Sequence, residues 1–235
     1  MGILAARSRP VALAGTRMLS VPGALGGLFP QGGVQRGSTV TVGTAPGGIS
    51  LALALAAAAT AGGGWAAAVG LPSIGLVAAT ELGVDLERLA LVPAPGQRWP
   101  GVVAALLDGV DLLLLGLPDR ARAADARRLA ARARERGTVL VVVEAAGSAG
   151  SWPEAPDLRL QVVGAAWSGL GAGHGHLRAR RVEVAVAGRR AAGRERRVGL
   201  WLPGPDGTPA ALVNVSGEAA DPAGAAGSGS ASLAG

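Results

Sequence analysis

Residues 38–61 read STVTVGTAPGGISLALALAAAATA, and the nine residues 42–50 within them, VGTAPGGIS, decide the fold. Residues 38–42 are a β-branched run, the composition of a strand. Gly43, Gly47 and Gly48 supply a tight turn, and the apolar run that follows is a buried helix, read over about 50–61. The turn has the spacing of a phosphate-cradling loop, G-x-x-x-x-G-K-[ST], with Gly43, Gly48 and Ser50 in place. The lysine position holds Ile49 instead. The loop is therefore either a degenerate anion site or a turn that needs glycine for its geometry alone, and the missing cation favours the second reading.

Strands and helices alternate outward from this point. Strands are expected over 65–69, 89–92, 111–115 and 138–143, and helices over 73–82, 99–108 and 119–136. The last helix carries an apolar stripe, Ala126, Leu129, Ala130 and Ala133, with Arg127, Arg128, Arg132 and Arg134 on its solvated face. Gly83, Gly109 and Gly137 stand where these helices should stop. DLLLL and TVLVVV are continuous apolar runs, as in strands buried on both faces. The alternation predicts an α/β fold: a mostly parallel sheet flanked by helices with right-handed crossovers. After residue 143 the strands at 158–163, 180–186 and 198–202 lack intervening helices, which predicts antiparallel edge strands toward the C-terminus. The expected organisation is an irregular lead over 1–30, one domain over 31–203, and a Gly/Ala/Ser-rich disordered tail over 204–235.

Composition bounds the rest. The chain has 235 residues and a formal net charge of +6; all 22 basic residues are arginine, and cysteine and tyrosine are absent. The lack of cysteine removes any disulfide framework. The apolar run at 49–61 is shorter than the ~20 residues of a membrane span, and the N-terminus lacks an ordered signal pattern, so a cytoplasmic protein without membrane contact is expected. A basic surface suits a polyanionic partner or is simply a solvated face. The densest cluster is Arg178, Arg180, Arg181, Arg189, Arg190, Arg194, Arg196 and Arg197, a candidate contact for DNA or an acidic protein, without interleaved aromatics for base stacking. Trp152 is a candidate exposed partner contact, while the other tryptophans read as packing anchors. His174 and His176, in GAGHGHL, lack a third metal ligand and read as a turn between strands.

Motif order carries a family resemblance. LGGLFPQGGVQRGSTVTVGTAPGGIS at 25–50, ATELGVDLERLALVPAP at 79–95 and VVAALLDGVDLLLLG at 102–116 resemble the first part of a RecA-like (P-loop NTPase-type) ATPase, and the likeness extends over about 26–202. WPGVVAALLDGVDLLLL, DARRLAARARERGTVLVVVE and RVEVAVAGRR with RRVGLWLPGPDG are similar to the actinobacterial ImuA-type (ImuA-prime) mutasome accessory proteins. The resemblance implies a role beside an ImuB-type Y-family-like protein and an error-prone C-family polymerase in damage-induced translesion synthesis, with the clamp and RecA as further partners.

The same resemblance locates the losses. The acid that should close DLLLL is replaced by Gly116, and the catalytic glutamate position, counted back from the LGVD turn, falls on Leu71. A working site needs a lysine on the β and γ phosphates and a carboxylate with Ser50 on magnesium. The expectation is a pseudo-ATPase with no cofactor and no catalytic or metal residue, though weak ATP binding stays compatible with the glycine skeleton. The loops corresponding to RecA's DNA-contacting segments, 117–125 and 145–157, are short or acidic, which opposes strand exchange. Two other readings stand beside the adaptor: a SulA-like division inhibitor, and an ATP-dependent recombinase or RecA mediator.

Overall fold

A computed structural model of the chain describes residues 18–29, 31–43, 45–118, 120–144, 151–171, 174–189 and 195–212. In chain order the elements are β1 (Met18–Ser20), α1 (Gly23–Gly26), β2 (Gly33–Gln35), β3 (Thr39–Gly43), α2 (Gly48–Ala61), β4 (Ala66–Val69), α3 (Leu76–Glu81), β5 (Leu89–Val92), α4 (Trp99–Leu106), β6 (Leu112–Gly116), α5 (Ala123–Arg136), β7 (Val139–Glu144), β8 (Leu158–Gly171), β9 (His174–Ala187), β10 (Arg196–Trp201) and β11 (Ala210–Ala211). All but the β1–β2 pair and the helices form one nine-stranded sheet, in the order β11-β10-β9-β8-β3-β7-β6-β4-β5. β8, β3, β7, β6, β4 and β5 run parallel, and β9, β10 and β11 extend the sheet antiparallel. Among the described residues no helix is long and apolar enough to cross a membrane.

Each face of the sheet has its own core. On one face α2 is buried from Leu51 through Thr60 against Val40, Val42, Leu112, Leu114, Val139 and Val141. Its alanines let the helix lie close to the strands, and no side of it meets water, as its uniform apolarity requires. On the other face α4 and α5 cover Leu113, Leu115, Leu140 and Val142, with Ala126, Leu129 and Ala133 of α5 turned inward. Gly137 ends α5 with φ +70, the left-handed conformation that a side chain disfavours.

The described part of the N-terminal lead is more than loops. β1 pairs with β2, and Leu25, Leu28, Phe29 and Val34 are fully buried in the α2 core. Apolar patches too short to show a period still fold inward when a neighbouring strand offers cover. Here that neighbour is β10, whose Arg196 donates from Nη2 to the Leu28 carbonyl (2.6 Å). β8 and β9 are also longer than their β-branched runs. Their Gly- and Ala-rich halves become strand only because each pairs with the other across the hairpin, with bulges at Val162/Gly164 and Ser168/Leu170.

Asp108, just past α4, clips that helix to α5. Arg132 donates from Nε to Oδ1 (2.9 Å) and from Nη2 to Oδ2 (2.6 Å), and Arg136 Nε lies 3.0 Å from Oδ1. The hydrogen bond from Arg132, above all, holds the Asp108 carboxyl below its ordinary pKa. A depressed carboxyl pKa contributes stability above the unfolded value of ~3.9, and the contribution is lost as pH falls through the folded value. The cluster is solvent-exposed, so its worth is under ~1 kcal/mol. Asp108→Asn is expected to cost no more than that at neutral pH in chemical denaturation, and to match the wild type in acid below the folded pKa. A gap that persisted there would point to packing rather than charge.

Candidate functional site

The loop after β3 is shaped by backbone demands. Gly47 adopts φ +113 at the N-cap of α2, and a Cβ on Gly48 would sit 1.9 Å from the Gly43 carbonyl oxygen. No side chain fits at Gly48, whatever the loop binds. Ile49 packs against the α2 core cluster, as does Leu71. The residues standing where the resemblance places a lysine and a glutamate have thus become packing groups.

Ser50 keeps its hydroxyl but gives it to the protein. Its Oγ accepts a hydrogen bond from Arg180 Nη2 (2.7 Å), and Arg180 Nε donates to the Leu202 carbonyl (2.7 Å). The guanidinium carbon lies 4.9 Å from the centroid of the Trp167 ring, a cation–π distance, and 3.5 Å from where a Gly47 Cβ would be. Arg180 is only 8% exposed, and among the described residues it makes no ion pair with a carboxylate. Burial lowers its pKa from the ordinary arginine value, yet a guanidinium does not lose its proton in a protein. A fixed cation therefore occupies the hydroxyl that a magnesium ion would need, and like charges at that range repel.

The second loss is sterically sealed. β6 ends at Gly116, where a Cβ would lie 2.2 Å from the Gly70 carbonyl oxygen and 2.9 Å from Leu71 Cδ2. Gly70 is held in place with φ +69 and its N–H bonded to the Val92 carbonyl (2.9 Å). The carboxylate near the loop is Glu144, the cross-strand partner of Gly43 at the end of β7; it accepts from the Trp152 N–H (2.9 Å). The described residues contain no group of three or more His, Cys, Asp or Glu side chains placed to hold a metal.

The arginine cluster is divided by the strands. Arg180 is buried at the loop, and Arg196 is half-buried on the Leu28 carbonyl, so neither is a surface contact. Alternation sends them to the core face, while Arg181 and Arg197 point to the opposite face. Arg178 is exposed on the β9 hairpin, and Arg189 is exposed and donates to the Ala155 carbonyl (2.9 Å). Arg190 and Arg194 lie outside the described residues. Trp152 is 3% exposed, packed among the α4–α5 core, which corrects its reading as a partner contact. A tryptophan in a core this poor in aromatics fills space that the alanines leave. Trp167, by contrast, is 46% exposed and caps Arg180, and Trp201 lies beside Arg181 across β9–β10, so an aromatic does interleave with the arginines. His174 and His176 open β9 at the hairpin, and His176 is exposed.

The parallel sheet, the glycine loop between β3 and α2, and the antiparallel extension define a RecA-like α/β domain. The solved structure of the RadB recombinase has a similar fold, with a TM-score of 0.53 and 15% identity over 76% of this chain and 92% of that one. The chain belongs to the MT3502 N-terminal domain family, whose model matches residues 27–154. It is 43% identical over 137 residues to the uncharacterized protein Rv3395c of Mycobacterium tuberculosis (strain ATCC 25618 / H37Rv), covering 58% of this chain and 67% of that protein.

Proposed function

We propose that the protein is a pseudo-ATPase of the ImuA type: a cytoplasmic, RecA-like adaptor that supports damage-induced, error-prone translesion synthesis through protein contacts. The carrying observation is the Arg180–Ser50 hydrogen bond, which commits the Ser50 hydroxyl to an internal cation. Ile49, Leu71 and Gly116 add that the groups needed to grip and split a triphosphate have been replaced by packing. A RecA-like domain that cannot turn over still presents strand edges and helix faces for docking. The partners it fits are an ImuB-type protein and an error-prone C-family polymerase, with RecA as a further one.

Two measurements test this together. Purified protein with magnesium-ATP, with and without single-stranded DNA, should release no phosphate above background. Affinity capture from DNA-damaged cells should recover the Y-family-like protein and the polymerase. Turnover abolished by Ser50→Ala would overturn the pseudo-ATPase reading in favour of a recombinase or mediator. Capture of the tubulin-like division protein instead would favour a SulA-like inhibitor.

A further inference from the structure

Among the described residues, the antiparallel wing β8–β9–β10 has a core on one face only. Leu160, Val162, Val182, Val184, Val186 and Leu200 point into the α2 core, whereas the α4–α5 core includes no residue of these three strands. The register lays out the second face row by row. Arg159 lies opposite Ala187, then Gln161, Ala185 and Arg197 align, then Gly164, Glu183 and Gly199, then Ala166, Arg181 and Trp201. Arg159, Arg181 and Arg197 are exposed and Trp201 is half-buried. Alanine and glycine form most of the floor between them, so the surface is shallow, with the guanidiniums standing above it.

We propose that this open face binds single-stranded nucleic acid. Three arginines stand against two glutamates, Glu183 and Glu195, both of which approach Arg197, so Arg159 and Arg181 carry the excess positive charge that selects an anion. Arg181 and Trp201 are direct cross-strand neighbours, which puts a cation and an indole side by side, the pairing that holds a phosphate while a base stacks. Arg197 lies four residues along β10 from Trp201, about 13 Å, and Arg159 lies two strands across from Arg197 and one row further along, about 12 Å from it. That spread suits an extended strand rather than a single phosphate. Glu183 approaches Arg197 at 3.6 Å and Glu195 at 3.9 Å, but both pairs are solvent-exposed and weak enough to be exchanged for phosphate. The inference is independent of the adaptor reading, because it concerns the isolated chain.

The experiment is fluorescence anisotropy with the full chain and a fluorescein-labelled oligo-dT of about 25 nucleotides, at salt from about 50 to 200 mM. Three phosphate contacts predict a slope of about −2 in log affinity against log salt. Arg181→Glu should weaken binding about ten-fold, whereas Arg98→Glu, an equal charge change in the turn between β5 and α4, should weaken it less than about two-fold. Trp201→Ala should lose affinity and Trp201→Phe retain most of it, with circular dichroism reporting that each variant is folded. Equal losses from Arg181→Glu and Arg98→Glu would overturn the proposal, as would wild-type binding by Trp201→Ala or no binding at the lowest salt. Competition by poly-glutamate as effective as by unlabelled oligo-dT would overturn it in favour of an acidic protein partner.

Discussion

Gly116→Asp, which writes back the acid that the resemblance expects at the end of β6, should destabilise the protein by about 3 kcal/mol and restore no ATP turnover. The new Cβ would meet the Gly70 carbonyl oxygen at 2.2 Å, and this neighbour is backbone in a left-handed turn, not a side chain that can swing away. Overpacking against a fixed group costs about 1–3 kcal/mol, and a carboxylate beside a carbonyl oxygen adds repulsion. At roughly 2–4 °C per kcal/mol for a chain of this size, the melting temperature should fall by roughly 10 °C. Gly116→Ala separates the causes. The obstruction begins at Cβ, so alanine should show most of the loss. If alanine proved neutral and aspartate did not, charge rather than space would be the reason. If both were neutral, the β4 and β6 ends would not be sealed and the site would have room for an acid. Adding Ile49→Lys should not rescue turnover, because Arg180 still holds Ser50.

Asp111→Ala should be comparably severe, at about 3–5 kcal/mol in chemical denaturation, the usual cost of removing one partner of a buried ion pair. Asp111 is buried at the start of β6, where Oδ1 accepts from Arg36 Nη1 (2.7 Å) and Oδ2 from the Trp65 N–H (3.0 Å). Its own N–H bonds to the Trp65 carbonyl and its carbonyl accepts from the Val139 N–H. The carboxylate thus ties the lead into β3 to the start of β4, while the Asp111 backbone, which alanine keeps, joins the starts of β4 and β7. Gly64 leaves space for it: a Cβ there would lie 2.6 Å from Oδ2. Arg36→Ala combined with Asp111→Ala should cost less than the two singles summed, by about 1–3 kcal/mol, because the loss of their mutual interaction is counted in both singles. A single Asp111→Ala cost below about 1 kcal/mol would show the pair to be a surface interaction in effect.

The strand–glycine loop–helix around residue 48 was legible because each step is local. β-branched residues favour strand, glycine alone tolerates the turn, and an unbroken apolar run buries as helix. The stripe on α5 was legible for the same reason. The first helical turns were not: α3 begins at Leu76 and α5 at Ala123, later than the pattern suggests, because the period is carried by the middle of a helix and neither start has a capping side chain to mark it. The outer halves of β8 and β9 were hidden too, since Gly and Ala carry no strand preference and take that form only by pairing with each other.

The residues at 49, 71 and 116 were read from the chain alone as lacking cation and carboxylate, since identity at a position needs no coordinates. What stands in their place was not readable. Arg180 is 130 residues from Ser50 in the chain, and its sequence neighbours mark it only as one arginine of a basic cluster; only the strand parity of β9 and the capping ring of Trp167 turn it into the loop. The same parity sends Arg181 and Arg197 to the open face, and packing among the α4–α5 core residues buries Trp152. Sequence determined which chemistry the chain owns and where its local structure changes. Tertiary structure decided which face each side chain reaches, because in a sheet one residue of register separates core from solvent.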